Sequence, residues 1–253
     1  MAQINLSRQS KLVPADQLEQ WKFEVFGVGS VGSHVVELLA KVGAQHIKVY
    51  DMDTVDEENI GPQAFGLSHI GKTKVEAIAE ICKESAGLDI ETAHGELTEE
   101  SEISPEPQTI YICVFDSFAA RKMIWNKLKD YPIIFVDGRI GRFDMRHYLI
   151  DTSDPKQVEY YIQSIPESGE GSDLICGEKA SAMINYEIAG KMVSNIINFV
   201  AGRGYEKAFI GNASDAQMNI HVRIEREPPQ TDDGSEQEGD ENDMVDMAPD
   251  SDI

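Results

Sequence analysis

Apolar and polar positions follow two periods along this chain, and their order is that of a parallel α/β sheet. Phe23–Phe26 is a short apolar run that ends in Gly27-Val28-Gly29-Ser30-Val31-Gly32. From His34 to Val42 the spacing turns helical, with Val35, Leu38, Leu39 and Val42 on one face. Gly43 stops that helix, and Ile47–Tyr50 reads as a second strand ending at Asp51. A second amphipathic helix begins at Lys74, with Val75, Ile78, Ala79 and Cys82 on its apolar side, and Ile90–Ala93 fits a third strand. Thr109–Phe115 is apolar throughout, as expected of a strand buried on both faces, and ends at Asp116 before a helix over 118–128. Ile133–Val136 repeats the pattern and ends in Asp137-Gly138-Arg139.

Beyond that point the pattern predicts an antiparallel extension. Phe143–Asp151 and Val158–Ile162 read as strands, and Phe209–Ile210 with Met218–Ile224 as a final hairpin. Between them a helix over 180–200 carries Met183, Ile184, Ile188, Met192, Ile196 and Phe199, apolar enough to lie in a subunit or sheet interface. Leu12, Val13, Leu18 and Trp21 suit a short packed helix after Pro14. The expectation is an α/β, Rossmann-like, doubly wound and mostly parallel sheet with a small antiparallel extension. An N-terminal arm (1–22) precedes the main domain (23–226), and a tail (227–253) follows it.

Composition changes the picture at the tail. Of 253 residues, 45 are acidic and 22 basic, a formal net charge of −23. The ten acids from Asp232 to Asp252 carry much of that excess, and no Lys or Arg follows Arg226. After Pro228-Pro229 the segment cannot bury a core and is expected to be disordered. The remaining body is still acidic, which argues against nucleic acid as a partner. Three scattered cysteines without a CxxC pair argue against a disulfide framework or structural zinc. With no apolar leader and no membrane span in the pattern, a cytoplasmic protein is expected.

Candidate chemistry gathers at the strand ends. A glycine turn between strand and helix lets backbone approach a phosphate, and the helix start points free N–H groups at it. Asp51, at the end of the next strand, has the position of a ribose-binding acid. The following loop is dense in oxygens, from Asp53, Asp56, Glu57, Glu58 and Asn59. Lys72 and Lys74 stand at a helix start, where a base opposes the helix dipole unless it faces an anion. Asp116 is either the N-cap of the next helix or a functional acid. Cys176, in a Gly- and Ser-rich loop before the long helix, is either a nucleophile or a buried thiol, whereas Cys82 and Cys113 read as core.

Together these segments resemble the ThiF/MoeB/HesA adenylyltransferases, the relatives of ubiquitin-activating enzymes. The resemblance rests on Ser7-Arg8-Gln9, the glycine turn, the DxDxV…N…Q set (Asp51, Asp53, Val55, Asn59, Gln63), Gly71-x-x-Lys74 and Asp116. It implies ATP and Mg²⁺ as cofactors and a carboxylate substrate, commonly the C-terminal Gly of a ubiquitin-like or sulfur-carrier protein. The product is an acyl-adenylate, with release of pyrophosphate. By the same resemblance Gly27, Gly29, Ser30 and Gly32 would hold phosphates and Asp51 the ribose. Asp53, Asn59, Gln63, Lys72 and Lys74 would complete the nucleotide site, and Asp116 would hold the metal. Arg8 would reach a neighbouring subunit's site in a homodimer, and Cys176 would form a thioester. One position departs from the family: Pro62 stands where an arginine is usual, and Arg139, Arg142 or Lys72 could stand in for it. Two alternatives stay open, a catalytically impaired nucleotide-binding scaffold and a nicotinamide-dependent oxidoreductase.

Overall fold

A computed structural model describes residues 4–141, 143–165, 182–212 and 215–224. The expected acidic tail, Cys176 and Arg142 lie outside the described residues. Eight strands form one sheet in the order β3-β2-β1-β4-β5-β6-β7-β8. In chain order they are β1 (Lys22–Phe26), β2 (His46–Asp51), β3 (Glu91–His94), β4 (Thr109–Cys113), β5 (Ile134–Gly141), β6 (Asp144–Asp151), β7 (Tyr205–Asn212) and β8 (Asp215–Ile224). The pairs from β3 to β5 are parallel, and those from β5 to β8 antiparallel. The strand order reverses between β1 and β4, which opens a crevice beyond their carboxyl ends.

Helices cover both faces. On one side lie α1 (Ala15–Leu18), α2 (Gly32–Lys41), α3 (Lys74–Ala86) and α6 (Ala182–Val200), packed around Val25, Val35, Leu39, Ile78, Ile112 and Ile188. On the other lie α4 (Phe118–Leu128) and α5 (Pro155–Gln163), around Phe26, Tyr111, Trp125, Phe135 and Tyr161. The long apolar helix therefore lies against α2 and strands β5 to β7. Its outer residues Met183 and Tyr186 remain largely exposed. No helix among the described residues is long and apolar enough to cross a membrane.

The apolar run Val158–Ile162 is helix and not strand. Asp154 caps α5 by accepting from the Lys156 N–H at 2.9 Å, and Pro155 occupies the first turn, where its missing N–H has no cost. This start signal outranks the β-preference of Val158 and Ile162, and Tyr161 then falls on the buried face. β5 also continues past Val136 through Asp137-Gly138-Arg139, because its antiparallel partner β6 carries the ladder on to Gly141. At α3 Thr73 accepts from the Glu76 N–H, and Gly87, with φ of 71°, closes the helix.

Candidate functional site

The crevice is a cleft of about 530 Å³ at the carboxyl ends of the parallel strands, lined by the glycine turn, the loop after β2, Lys74 and the start of α4. The three glycines of the turn have different physical duties. Gly27 has φ of +96°, a conformation that L side chains rarely adopt. A Cβ on Gly32 would lie 2.0 Å from the Gly27 carbonyl oxygen, so α2 can start this close to the turn only on a glycine. Gly29 would meet nothing within 4 Å, so its missing side chain leaves open cleft. Val31 precedes α2 without a side-chain cap, and although the Ser33 N–H is spent on the Gly29 carbonyl at 3.0 Å, the helix presents its positive end to the cleft.

Asp51 ties the turn to β2. Its carboxylate accepts from Val28 N–H at 2.6 Å and from Asp53 N–H at 2.9 Å. Burial raises its pKa above the usual carboxylate value, opposed by those two amide bonds and by Lys74. Lys74, only 7% exposed, reaches into the cleft and meets Asp53 Oδ2 at 2.7 Å. In the loop, Asn59 Oδ1 accepts from Asp56 N–H at 3.0 Å, which leaves its NH₂ group as the end available to a ligand. Gln63 lines the cleft with a buried Oε1 that has no partner among the described residues. Unsatisfied buried oxygens of this kind mark either strain or a missing ligand.

Asp116 is not the cap of α4. Ser117 fills that role, its Oγ accepting from Ala120 N–H at 3.4 Å, and the exposed Asp116 faces the cleft. Ser30 also lines the cleft, whereas Lys72 does not: its ammonium pairs with Glu80 on the flank of α3. Arg8 sits exposed in the N-terminal turns and does not line the cleft of its own chain.

Arg139 does not stand in for the arginine absent at Pro62. It is buried, with Nε donating to Asp137 Oδ2 at 2.7 Å and Nη1 to the Ser164 carbonyl at 2.8 Å. Asp137 is in turn held by Arg121 and by the Tyr161 hydroxyl. Burial alone would raise the Asp137 pKa, but the two guanidinium groups outweigh it and hold the carboxyl below its ordinary range. Sequence reasoning missed Arg121, which lines the cleft. The signal was its position: it shares the helical face of Ile124, Trp125 and Leu128, and a charge on a buried face needs a buried partner.

The cleft carries five acids, Asp51, Asp53, Glu58, Glu96 and Asp116, against Lys74 and Arg121. A polyphosphate bound here needs additional positive charge. No group of three or more His, Cys, Asp or Glu among the described residues could hold a metal by itself. Mg²⁺ fits such a site, because it is commonly held by one or two carboxylates together with substrate phosphates. Asp116, exposed at the cleft and unspent on capping, is one carboxylate that could hold it.

Comparison with known proteins agrees with this architecture. The NEDD8-activating enzyme E1 catalytic subunit of Caenorhabditis elegans is 30% identical over 126 residues, 49% of this chain and 29% of that protein. The tRNA threonylcarbamoyladenosine dehydratase of Haemophilus influenzae is 41% identical over 68 residues, 26% of each chain. A crystal structure of E. coli MccB with ATP superposes with a TM-score of 0.64 at 16% identity, covering 86% of this chain and 68% of that one. At that identity the likeness speaks for the fold alone. This chain spans less than a third of the length of the NEDD8-activating subunit. The ThiF family matches residues 2–233, nearly the whole chain, and the chain belongs to that family.

Proposed function

We propose that the chain is an adenylyltransferase that activates a carboxylate with ATP. The substrate carboxylate oxygen attacks the α-phosphorus, the bond from that phosphorus to the bridging oxygen breaks, and pyrophosphate leaves with its electron pair. One observation carries the reading: the glycine turn, Lys74 and an Asp116 released from capping converge on one cleft. Support also comes from relatives that are activating enzymes for NEDD8 and SUMO, and from MccB structures with ATP and with the peptide MccA.

An anion attacking an anion needs the phosphate charge offset along the path. Lys74 would supply one cation and the start of α2 its dipole, while Gly29, Ser30, Asn59 and Gln63 position the phosphates and Asp51 the ribose. Mg²⁺, held by Asp116, would neutralise phosphate charge when bound. The substrate is the carboxyl terminus of a ubiquitin-like or sulfur-carrier protein, or of a peptide. Arg8 completes the site of a second copy in a homodimer, and the Cys176 thiolate attacks the acyl carbon of the adenylate, forming a thioester as the acyl–phosphate bond breaks and AMP leaves.

The commitment of Arg121 and Arg139 to Asp137 favours a second reading, a nucleotide-binding scaffold short of one phosphate-facing cation. Exchange of labelled pyrophosphate into ATP, with Mg²⁺ and a candidate acyl partner, separates the two. Exchange above background supports the enzyme. ATP binding without exchange for any carboxyl-terminal partner tested supports the scaffold.

A further inference from the structure

Pro62, which occupies the family arginine's position, is gripped by two buried side chains from different helices. Its carbonyl accepts from Asn185 Nδ2, in the first turn of α6, at 2.7 Å. It also accepts from His34 Nε2, in the first turn of α2, at 3.2 Å. Asn185 is fully buried and His34 is 1% exposed. The Tyr186 ring lies over the imidazole, with centroids 4.0 Å apart.

Two residues further on there is a second anchor. The Ala64 N–H donates to Ser33 Oγ at 3.1 Å, and that hydroxyl donates to the Gly29 carbonyl at 2.7 Å. Gln63, whose Oε1 lacks a partner among the described residues, hangs between these anchors and faces the cleft. Its own N–H donates to the Asn59 carbonyl at 3.0 Å, so fixing Pro62 and Gln63 also fixes Asn59.

The grip is not optimised for stability. A His34 that donates from Nε2 leaves Nδ1 as a buried acceptor with no partner among the described residues, and Asn185 Oδ1 has none there either. Apolar side chains at both positions would remove those two orphaned atoms but would also strip the Pro62 carbonyl of both its donors. What the polar pair supplies is a defined place for one backbone carbonyl.

We infer that Asn185 and His34 are positioning residues for the nucleotide. Acting through the Pro62 carbonyl, they hold Gln63 and Asn59 against the phosphate end of the cleft. Fixed backbone geometry here replaces part of what a charged side chain at position 62 would do. Asn185 suits the task because it donates, whereas an ionised Asp could only oppose the carbonyl with a second negative oxygen. The inference rests on the ATP reading above and extends it to two side chains that lie outside the motif residues of the family.

The test is ATP titration and pyrophosphate exchange on Asn185→Ala, Asn185→Asp, His34→Phe and His34→Gln in the full chain. Asn185→Ala, Asn185→Asp and His34→Phe are expected to raise the KM for ATP about tenfold, the scale of one well-placed hydrogen bond, with kcat changed less than about threefold. His34→Gln, which keeps a donor, should recover most of the affinity, which a merely structural role would not predict. His34→Phe retains the ring against Tyr186 and keeps the test valid if Asn185→Ala fails to fold. Variants with wild-type KM, or a loss that His34→Gln does not repair, overturn the inference while the ATP reading stands. A wild-type chain that binds no ATP overturns both.

Discussion

Lys74 and Asp53 are bonded to each other twice, side chain to side chain at 2.7 Å and Lys74 N–H to Asp53 carbonyl at 2.9 Å. The backbone bond fixes where α3 starts, and the side-chain bond stores the ammonium at the cleft wall until a stronger anion arrives. Lys74→Met should therefore lower the exchange rate by roughly 10² or more, the usual scale for removing one preorganised contact to developing charge. Asp53 is half exposed, so its abandoned carboxylate is rehydrated and stability should change by less than about 1 kcal/mol. A Lys74→Met protein exchanging pyrophosphate at the wild-type rate would remove Lys74 from the chemistry.

Asp116 and Ser117 divide two duties between adjacent residues. Ser117→Ala removes the cap of α4 and should cost about 1 kcal/mol of stability with exchange activity retained. Asp116→Asn should do the reverse, leaving the melting temperature within a few degrees and reducing Mg²⁺-dependent exchange by about 10² or more. Thermal melts and Mg²⁺ titrations of the two variants check this together. If Ser117→Ala loses the Mg²⁺ response and Asp116→Asn keeps it, the assignment is reversed.

The glycines of the turn make a sharper contrast. Gly32→Ala drives a methyl group to 2.0 Å from a backbone oxygen that cannot move without breaking the turn, so the variant should be destabilised by several kcal/mol or fail to fold. Gly29→Ala places the same methyl in open cleft and should fold normally. Its effect belongs in ATP affinity, because the methyl enters space that a phosphate would occupy. Equal stabilities in urea unfolding would contradict the geometry.

These contrasts show which parts were legible in the sequence. Glycine spacing, the apolar runs and the acids at their ends report local constraints, and all of them point to the crevice between β1 and β4. Asp51, Lys74 and Asp116 come together there because each sits at or within one turn of a strand end or helix start, and the loop after β2 carries Asn59 and Gln63 to the same cleft. Partners far apart in sequence were not legible. His34 and Asn185 meet over Pro62 across 151 residues, and that contact depends on α6 packing against α2. Arg139 illustrates the opposite error: as a nearby base it looked available to phosphate, but β5 continues as a strand and turns it onto Asp137.

His147 adds a pH dependence separate from the cleft. It is fully buried on β6, stacked on Phe209 at 5.7 Å, with neither ring nitrogen hydrogen-bonded among the described residues. Burial first, then Lys191 and His221, push its pKa down to about 3. The unfolded chain takes up this proton near pH 6.5, whereas the folded one resists until about pH 3. Unfolding is therefore favoured increasingly as pH falls through that window, at up to about 1.4 kcal/mol per pH unit for this one group, and the effect vanishes above neutrality. His34, also lowered by burial, adds in the same direction. Between pH 6.5 and 5 most carboxylates have not begun to titrate, so the slope there belongs mainly to histidines. His147→Leu should flatten stability over that interval by about 2 kcal/mol relative to wild type, and at pH 7.5 be near neutral because it removes unpaired polar atoms from the core. Urea unfolding at pH 7.5, 6.0 and 5.0 reads the slope directly, and parallel curves for the two proteins would mean that His147 takes up its proton in the folded state through a partner such as Glu206, 3.8 Å away.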